Sequence, residues 1–491
     1  MSHPQQSGGT TARPGSALPS PAAPAAPPGP PPGPPGRRPV PLLPVTAWRE
    51  GLERLRAAAV TEPGRLRIIG AVLAVLLAVF GGVTAWQVAD RSAAADAVVG
   101  ESQPLSANAA DIYRSLADAD TTAASGFLAG GQEPRPVRER YEKDVALASE
   151  LLTKASANAG GSPAAREQIA RMNEQLPRYT GLVEAARATN RQGLPLGGAY
   201  LRYASERMRE DLLPAARRLY EAETGRLGSD YDDAKSWPWA ALAVGVVALG
   251  ALGWAQRRAF LRTNRVFNHG LLAATGLTAV TLLWLIAGHA VARSGLQASY
   301  DHGARSLRVL SEARIGSLQA RGDENLTLVA RGAALTDKGE DVYETSYRSG
   351  MRALAGGGQG APGRGTLLER ALDLAHDAQG RAPVEQAVAG VRQWQARHQE
   401  ARAKDDAGMY EEALPLVIGK KGDDKGSTGE SFDRVDQALR QALEHEQSAF
   451  RRSAHDGRGA LWGLDAGAAV LALLGAAGAV LGIGRRLSEY R

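Results

Sequence analysis

Few residues in this 491-residue chain have types and spacing suited to chemistry. Asp118 and Asp120 stand two positions apart, and Arg321, Asp323 and Glu324 fall within four. Carboxylates and a guanidinium at such intervals can grip a ligand or a partner protein. The plainer alternative is a set of solvated or intrahelical pairs, each worth a few tenths of a kcal/mol. Gly358-Gln359-Gly360-Ala361-Pro362-Gly363 has the spacing of a dinucleotide-binding turn, but no strand precedes it and Pro362 interrupts it. Lys420 to Ser427 mixes glycine, lysine and aspartate at the wrong spacing for a phosphate loop and reads as a solvated loop. The eight histidines are scattered, with no pair at zinc-ligand spacing beside a helix carboxylate, and His398 near Trp394 reads as a surface or helix-packing residue. The chain has no cysteine, so disulfides, zinc-thiolate sites and thiol catalysis are excluded. The sequence therefore points to no catalytic residue, no metal and no cofactor.

The elements that must hold these residues are helical. Aromatics make up 5% of the chain while alanine and glycine dominate, which suits small-residue helix packing and argues against a sandwich or barrel. A helix needs about 20 apolar residues to cross a bilayer core. The stretches 68–88, 237–255, 270–292 and 463–483 reach that length, with Trp86, Trp237, Trp239, Trp254 and Trp462 near their ends, where amphipathic rings favour the headgroup layer. The first lies too far from the start for a cleaved signal peptide and reads as an uncleaved anchor.

Arginine placement predicts the orientation, because short cytoplasmic segments are enriched in Lys and Arg. Arg49, Arg54, Arg56, Arg65 and Arg67 precede the first span; Arg257, Arg258, Arg262 and Arg265 crowd the loop 256–268; Arg485, Arg486 and Arg491 lie in the tail 484–491. These clusters predict a multi-pass bacterial cell-membrane protein with both termini cytoplasmic. The formal charge agrees: the three segments carry +5, +4 and +2, leaving −5 for the rest of a chain whose total is +6. The high pI of 9.5 thus reflects topology and gives no reason to expect a nucleic-acid partner.

Residues 1–45, rich in Pro, Ala, Gly and Ser, predict a disordered cytoplasmic arm, a spacer or a ligand for an aromatic-lined groove. Residues 46–66 predict an amphipathic juxtamembrane helix, with Trp48, Leu52 and Leu55 on one face. Two outer segments follow, 89–236 and 293–460, each bracketed by a pair of spans. In the first, Leu201, Met208, Leu212, Ala215, Leu219 and Ala222 form the seam of a bundled helix; in the second, Phe432, Val435, Leu439, Leu443 and Phe450 form a similar stripe, interrupted by Glu446. Almost no linker separates either segment from its spans, so outer helices should join membrane helices directly and can carry a shift or rotation across the bilayer. The two modules are expected to pack as a pseudo-dimer.

Within the spans, His269, His289 and Asp465 all lie near the ends, and no ionisable group occupies mid-depth, where an ion path needs one. Gly463 and Gly467, and again Gly478 and Gly482, stand four apart on the fourth span, which predicts close helix packing. The cytoplasmic segments are far shorter than the roughly 100 residues of a typical catalytic domain. Any signal must then pass to a separate protein, through the basic loop and tail as relay surface.

Leu116-Ala117-Asp118-Ala119-Asp120, Phe127-Leu128-Ala129-Gly130-Gly131 and Arg140-Tyr141-Glu142-Lys143-Asp144 resemble the opening of the helical-bundle sensor modules of chemoreceptors and actinobacterial membrane proteins, and Ala199-Tyr200-Leu201-Arg202 through Met208 to Ala216 resembles the last helix. Ala320 to Leu328, Trp394 with His398, Asp406 to Tyr410 and Arg486 to Arg491 together resemble the GlnX family. That resemblance runs from the first span to the end. It implies a four-span transducer working with an extracytoplasmic solute-binding lipoprotein and a cytoplasmic Ser/Thr protein kinase in sensing amino-acid availability.

The fold expected is an all-α membrane protein, with four transmembrane helices and two extracytoplasmic four-helix-bundle-like domains. The function expected is non-enzymatic signal transduction from outside to a separate cytoplasmic protein. An accessory or regulatory subunit of a transporter, or a structural envelope protein, is the alternative. A transporter should show inverted repeats of spans and helices broken at mid-membrane, whereas these repeats share one orientation.

Overall fold

The structure is a computed structural model that describes residues 62–158, 162–263, 268–357, 362–420, 425–459 and 463–487. The proline-rich arm, most of the expected juxtamembrane helix, the glycine-rich turn at 358–361 and part of the 420–427 loop lie outside the described residues. Among those residues the chain is helical, without strands, and an isolated bridge joins Leu335 to Asp341. Four helices are long and apolar enough to cross a membrane.

Helix α1 (Glu62–Ala97) passes through a π-helical turn, Val98–Ser102, into α2 (Gln103–Leu128). Then come α3 (Arg135–Asn158), α4 (Pro163–Arg191) and α5 (Leu196–Arg207), which a second π turn, Met208–Leu212, joins to α6 (Leu213–Lys235). Helix α7 (Trp239–Thr263) returns through the apolar layer, and α8 (His269–Ala298) leads through the π turn Ser299–Ala304 into α9 (Arg305–Ala330). The second bundle adds α10 (Val342–Leu354), α11 (Leu367–Leu374), α12 (Ala378–Asp406), α13 (Tyr410–Ile418) and α14 (Thr428–Gly459). Helix α15 (Leu464–Leu487) ends the described chain.

Local chemistry sets the breaks. Ser162 accepts a hydrogen bond from the Ala165 amide and Pro163 opens α4, an N-cap followed by the residue that has no amide to leave unpaired. Asp341, Thr366 and Asp377 cap α10, α11 and α12 in the same way. Gly130, at φ 79°, turns the chain after α2, where an L side chain would be strained. The expected seams are internal: Leu201, Met208, Leu212, Ala215 and Leu219 are buried, as are Phe432, Val435, Leu439 and Phe450. The π turn at Met208–Leu212 adjusts the first seam, since one i→i+5 turn rotates every later side chain relative to those before it.

The two composite helices, α1–α2 and α8–α9, are built alike. Each runs from an apolar layer through one π turn and continues for 26 residues. No linker interrupts either. One apolar core extends through both bundles, from Ile112, Leu116 and Tyr179 to Trp394, Val435 and Leu439. A second cluster, with Val88, Val98, Tyr231, Leu285, Leu296 and Phe450, packs the joint between bundles and spans. A third, with Leu77, Leu252, Leu271, Ala479 and Ile483, packs the spans themselves.

The apolar helices turn side chains such as Val75, Val246, Leu283, Leu473 and Leu481 outward, each more than half exposed. A water-soluble fold rarely exposes such a band, and a lipid bilayer supplies its natural surroundings. Small residues let the spans meet. A Cβ added at Gly270 would collide with the Gly478 carbonyl oxygen, and one at Gly482 would lie 2.9 Å from Gly270 Cα. Gly467 abuts the Trp284 ring. Gly463 differs: it precedes α15 at φ 77°, and a Cβ added there would meet no atom of the described residues within 4 Å.

Candidate functional site

Helices α2 and α9 lie side by side and form the central contact between the bundles. The Thr121 hydroxyl donates to the Leu318 carbonyl oxygen at 2.8 Å, and the Asn325 amide donates to Ser125 Oγ at 2.7 Å. A Cβ on Gly322 would press on Thr121 Oγ1 at 3.3 Å, so glycine there helps the close approach. An α-helix turns about 100° per residue, so residues two apart face nearly opposite ways. Asp118 and Asp120 accordingly look into two different clefts, one on each side of the α2–α9 contact.

The larger cleft, of about 1280 Å³, runs between α6 on one bundle and α9, α10 and α11 on the other. One end carries Asp120, Arg209 and Asp323. The Arg209 guanidinium lies 2.5 Å from Asp323, joining the first bundle to the second, and its carbon stands 5.2 Å from the centre of the Tyr343 ring. Ser205 Oγ donates to Asp120 at 2.9 Å. Burial pushes the Asp323 carboxyl up, and the Arg209 charge pulls it only part of the way back, to about 6. Burial raises Asp120 as well, against the pull of Arg209 and Ser205.

The smaller cleft, of about 700 Å³, opens between α2 and α3 on one side and α9 and α14 on the other. Arg140 bridges the bundles here: it pairs with Asp118 at 2.9 Å and lies 3.6 Å from Asp433 and 3.9 Å from Asp436. Asp436 also takes Arg314 at 2.6 Å and Arg440 at 2.7 Å. Asp144 is buried beside them, and its Oδ2 has no hydrogen-bond partner. Burial and the neighbouring Asp118 charge raise its carboxyl to about 7.

Arg321 and Glu324 stand apart from both clefts, in the core of the second bundle. Glu324 Oε2 accepts from Arg321 at 2.5 Å, from Thr428 at 3.0 Å and from the Trp394 indole at 3.1 Å. Glu324 Oε1 meets His398 Nδ1 at 2.8 Å, and His398 Nε2 meets Glu344 at 3.1 Å. Burial opposes ionisation of Glu324, yet Arg321 and His398 outweigh it and hold the carboxyl below its usual range. Burial would likewise lower His398, but bonds to two carboxylates raise it to about 9. The Tyr347 ring stacks on the imidazole at 3.8 Å. His398 is therefore an interior residue held between charges, the helix-packing alternative of its two expected settings, and the Arg321–Glu324 pair is intrahelical but buried, not solvated.

The structure thus brings Asp120 and Asp323 to one cleft, takes Asp118 to the other and moves Arg321 and Glu324 away from both. Sequence reasoning missed Arg209, Arg140, Asp144 and Glu344. A charged residue inside an apolar seam was the available signal for Asp144, which lies among Tyr141, Ala148 and Leu151, all buried on α3. Of the expected relay surface, Arg257 and Arg258 lie on α7 before its end at Thr263, with Arg258 set over the Trp254 ring at 5.3 Å, and Arg485 lies near the end of α15. The side chains of Arg262 and Arg486, and the whole of Arg265 and Arg491, lie outside the described residues.

Residues 94–232 match the family described as the actinobacterial sensor domain. The first bundle is similar to a sensor domain. The match begins near the end of α1 and stops near the end of α6, so it covers the helices that form the first wall of both clefts. No curated protein and no solved structure matches the chain. A sensing role is the function this family suggests, and a helical sensor domain fits a non-enzyme.

Proposed function

We propose that this protein is a transmembrane sensor whose two outer bundles respond to a stimulus at their shared interface and pass the response through helices continuous with the spans. The carrying observation is the pair of composite helices α1–α2 and α8–α9. They meet at Thr121 and Leu318 in the outer half and run without a linker into apolar helices packed on α15 and α7. A change in how the bundles sit must therefore move the spans by a piston, tilt or rotation, because a helix transmits displacement along its length. In this reading the bundles lie outside the cell and both termini inside. The inner ends of α7 and α15, with Arg257, Arg258 and Arg485, face a separate cytoplasmic protein. The resemblance to the GlnX family makes a Ser/Thr kinase the partner on that side and a solute-binding lipoprotein the partner outside, with amino-acid availability as the signal.

The test perturbs the interface and reads the inner ends. The chain has no native cysteine, so spin labels on Arg257→Cys and Arg485→Cys report one distance. Arg209→Glu replaces the only guanidinium among the three charged groups at the Asp120–Asp323 end with a third carboxylate, and should drive the bundles apart. The inner-end distance in lipid nanodiscs should then shift by about 1–2 Å, the scale of known helix switches. A variant that keeps its helical circular dichroism and shows no shift would overturn transmission through the helices. The milder Arg209→Gln should give a smaller shift of the same sign.

A further inference from the structure

We propose that Asp144 and Asp118 share one proton in the wall of the smaller cleft, and that its loss draws Arg140 away from the second bundle, so that the cleft opens as pH rises. The clasp stands on the geometry of the cleft; that its opening is read at the inner ends rests on the sensor reading above.

The orphaned oxygen is the first argument. Asp144 is 6% exposed and its Oδ2 has no hydrogen-bond partner. A buried carboxylate oxygen without a donor disfavours the charged form. The neighbouring Asp118 makes that charge costlier still, because two carboxylates side by side can bond to each other only when one holds a proton. A protonated Asp144 donates to Asp118 and removes both penalties. A proton needs no room in the cleft, and both acids line it, so water can carry the proton in and out. Burial, with Asp118, raises the Asp144 carboxyl to about 7, so the exchange falls near neutral pH.

Arg140 links that proton to the other bundle. Asp118 holds it at 2.9 Å, whereas Asp433 and Asp436 lie at 3.6 Å and 3.9 Å, so its grip across the cleft is the looser one. Arg140 and Asp144 are four residues apart on α3, a spacing that lets opposite charges meet. An ionised Asp144 therefore competes for Arg140 from its own helix and repels Asp433 and Asp436 from across the cleft. The other charged groups around the acid are engaged elsewhere or exposed to water. On α2, Arg114, which like Arg140 favours the anion, pairs with Asp111 at 3.4 Å; on α3, Glu139 pairs with Arg135 at 2.8 Å and Lys143 is exposed. On α9, Asp436 takes Arg314 at 2.6 Å and Glu312 takes Arg308 at 3.0 Å; on α14, Asp436 takes Arg440 at 2.7 Å and Glu444 is exposed. On α4, Arg187 lies over the Tyr141 ring and pairs with Glu184 at 2.7 Å, while α6 contributes the Tyr220 phenol, which burial raises to about 12. The α2–α9 contact lies between the two clefts, so the bundles rock about it, and the larger cleft narrows as the smaller one opens.

Spin labels on Ala146→Cys and Ala389→Cys, both exposed, report the distance from α3 to α12 in the full chain in lipid nanodiscs. That distance should lengthen by about 1–2 Å between pH 5.5 and pH 8.5, with its midpoint at about 7. Asp144→Asn stays neutral while keeping the shape, and should fix the short distance at every pH. Asp118→Asn removes the second charge and should move the midpoint down by about one pH unit or more. In the parent chain the infrared band of a protonated carboxyl should fade with the same midpoint, and that fraction should be missing from Asp144→Asn. Asp323→Asn, at the other cleft, should leave the midpoint in place.

A distance that does not change with pH would overturn the proposal, as would a response that survives Asp144→Asn with its midpoint unmoved. Should Asp144→Asn lose its helical circular dichroism, the parent chain and Asp118→Asn still decide, for a midpoint that Asp118→Asn does not lower would overturn the shared proton. Opening of the outer pair without movement of the Arg257–Arg485 label pair would sink transmission and leave the clasp standing. Movement of that inner pair on Arg209→Glu, with no response to pH, would sink only the clasp.

Discussion

Asp323 and Glu324 are neighbours on one helix, both almost wholly buried, and their carboxyls are driven in opposite directions. Asp323 faces the cleft between the bundles, where a single guanidinium meets it, and it rises to about 6. Glu324 faces the core of the second bundle, where Arg321, Thr428, Trp394 and His398 converge on it, and it falls below the usual range. Burial alone would have raised both. The number of donors to the charged form decides the sign. A buried acid with a full set of partners is a structural anchor, whereas one with too few is where an incoming charge or proton can act.

The largest effect expected from this contrast is at the anchor. Glu324→Ala leaves Arg321 and His398 buried without their shared acceptor, and should destabilise the chain by about 3–5 kcal/mol, the range for breaking one side of a buried ion pair. Glu324→Gln keeps the shape and should cost less. Reversible denaturant unfolding in nanodiscs gives the comparison, with Asp323→Ala as reference. Equal losses at the two positions would erase the distinction between anchor and cleft.

A somewhat smaller effect should appear in the pH profile. His398 is raised from an ordinary 6.5 to about 9 by its two carboxylates. Its pairing therefore contributes fully below pH 6.5 and is lost as pH rises through 9. That contribution is about 3 kcal/mol, since each tenfold gain in proton affinity on folding is worth roughly 1.4 kcal/mol. Unfolding free energies at pH 6.5, 8 and 9.5 should fall in that order, and Glu344→Gln, which removes one carboxylate from the imidazole, should flatten the decline. An unchanged slope in that variant would mean that Glu344 does not help hold the proton.

These predictions also show what the sequence could reveal. The spans are legible because hydrophobic length is a one-dimensional property, and the seams are legible because a helix repeats every 3.6 residues. The candidate acids Asp118, Asp120 and Asp323 stand out by spacing, but spacing cannot show that a two-residue step sends Asp118 and Asp120 into different clefts. That depends on α9 lying against the face between them. Arg209, Arg140 and Glu344 are not legible as site residues, because each acts on a partner distant in the chain: Arg209 reaches Asp323, Arg140 reaches Asp433 and Asp436, and Glu344 reaches His398. The sequence leaves His398 between a surface and a helix-packing setting for the same reason, since its carboxylates come from α9 and the start of α10. The π turns leave no clear sequence signal, being a choice of hydrogen-bond register that packing imposes.

The smallest predicted effect has the opposite sign and bears most directly on the contrast. An acid raised in the folded state is penalised when ionised, so the chain should lose stability as pH climbs from about 4 through 6 on account of Asp323. Asp323→Asn removes that penalty but also costs Arg209 its nearest carboxylate, leaving the guanidinium to Asp120. These two effects largely offset, and the net at pH 8 should be a gain of about 1 kcal/mol. Stability between pH 4 and 6 should also become flatter than in the parent chain. Denaturant unfolding at pH 4.5, 6 and 8 resolves both. Should Asp323→Asn instead lose several kcal/mol at pH 8, the Arg209 bridge would be as fully satisfied as the Glu324 network. The cleft would then hold no uncompensated charge.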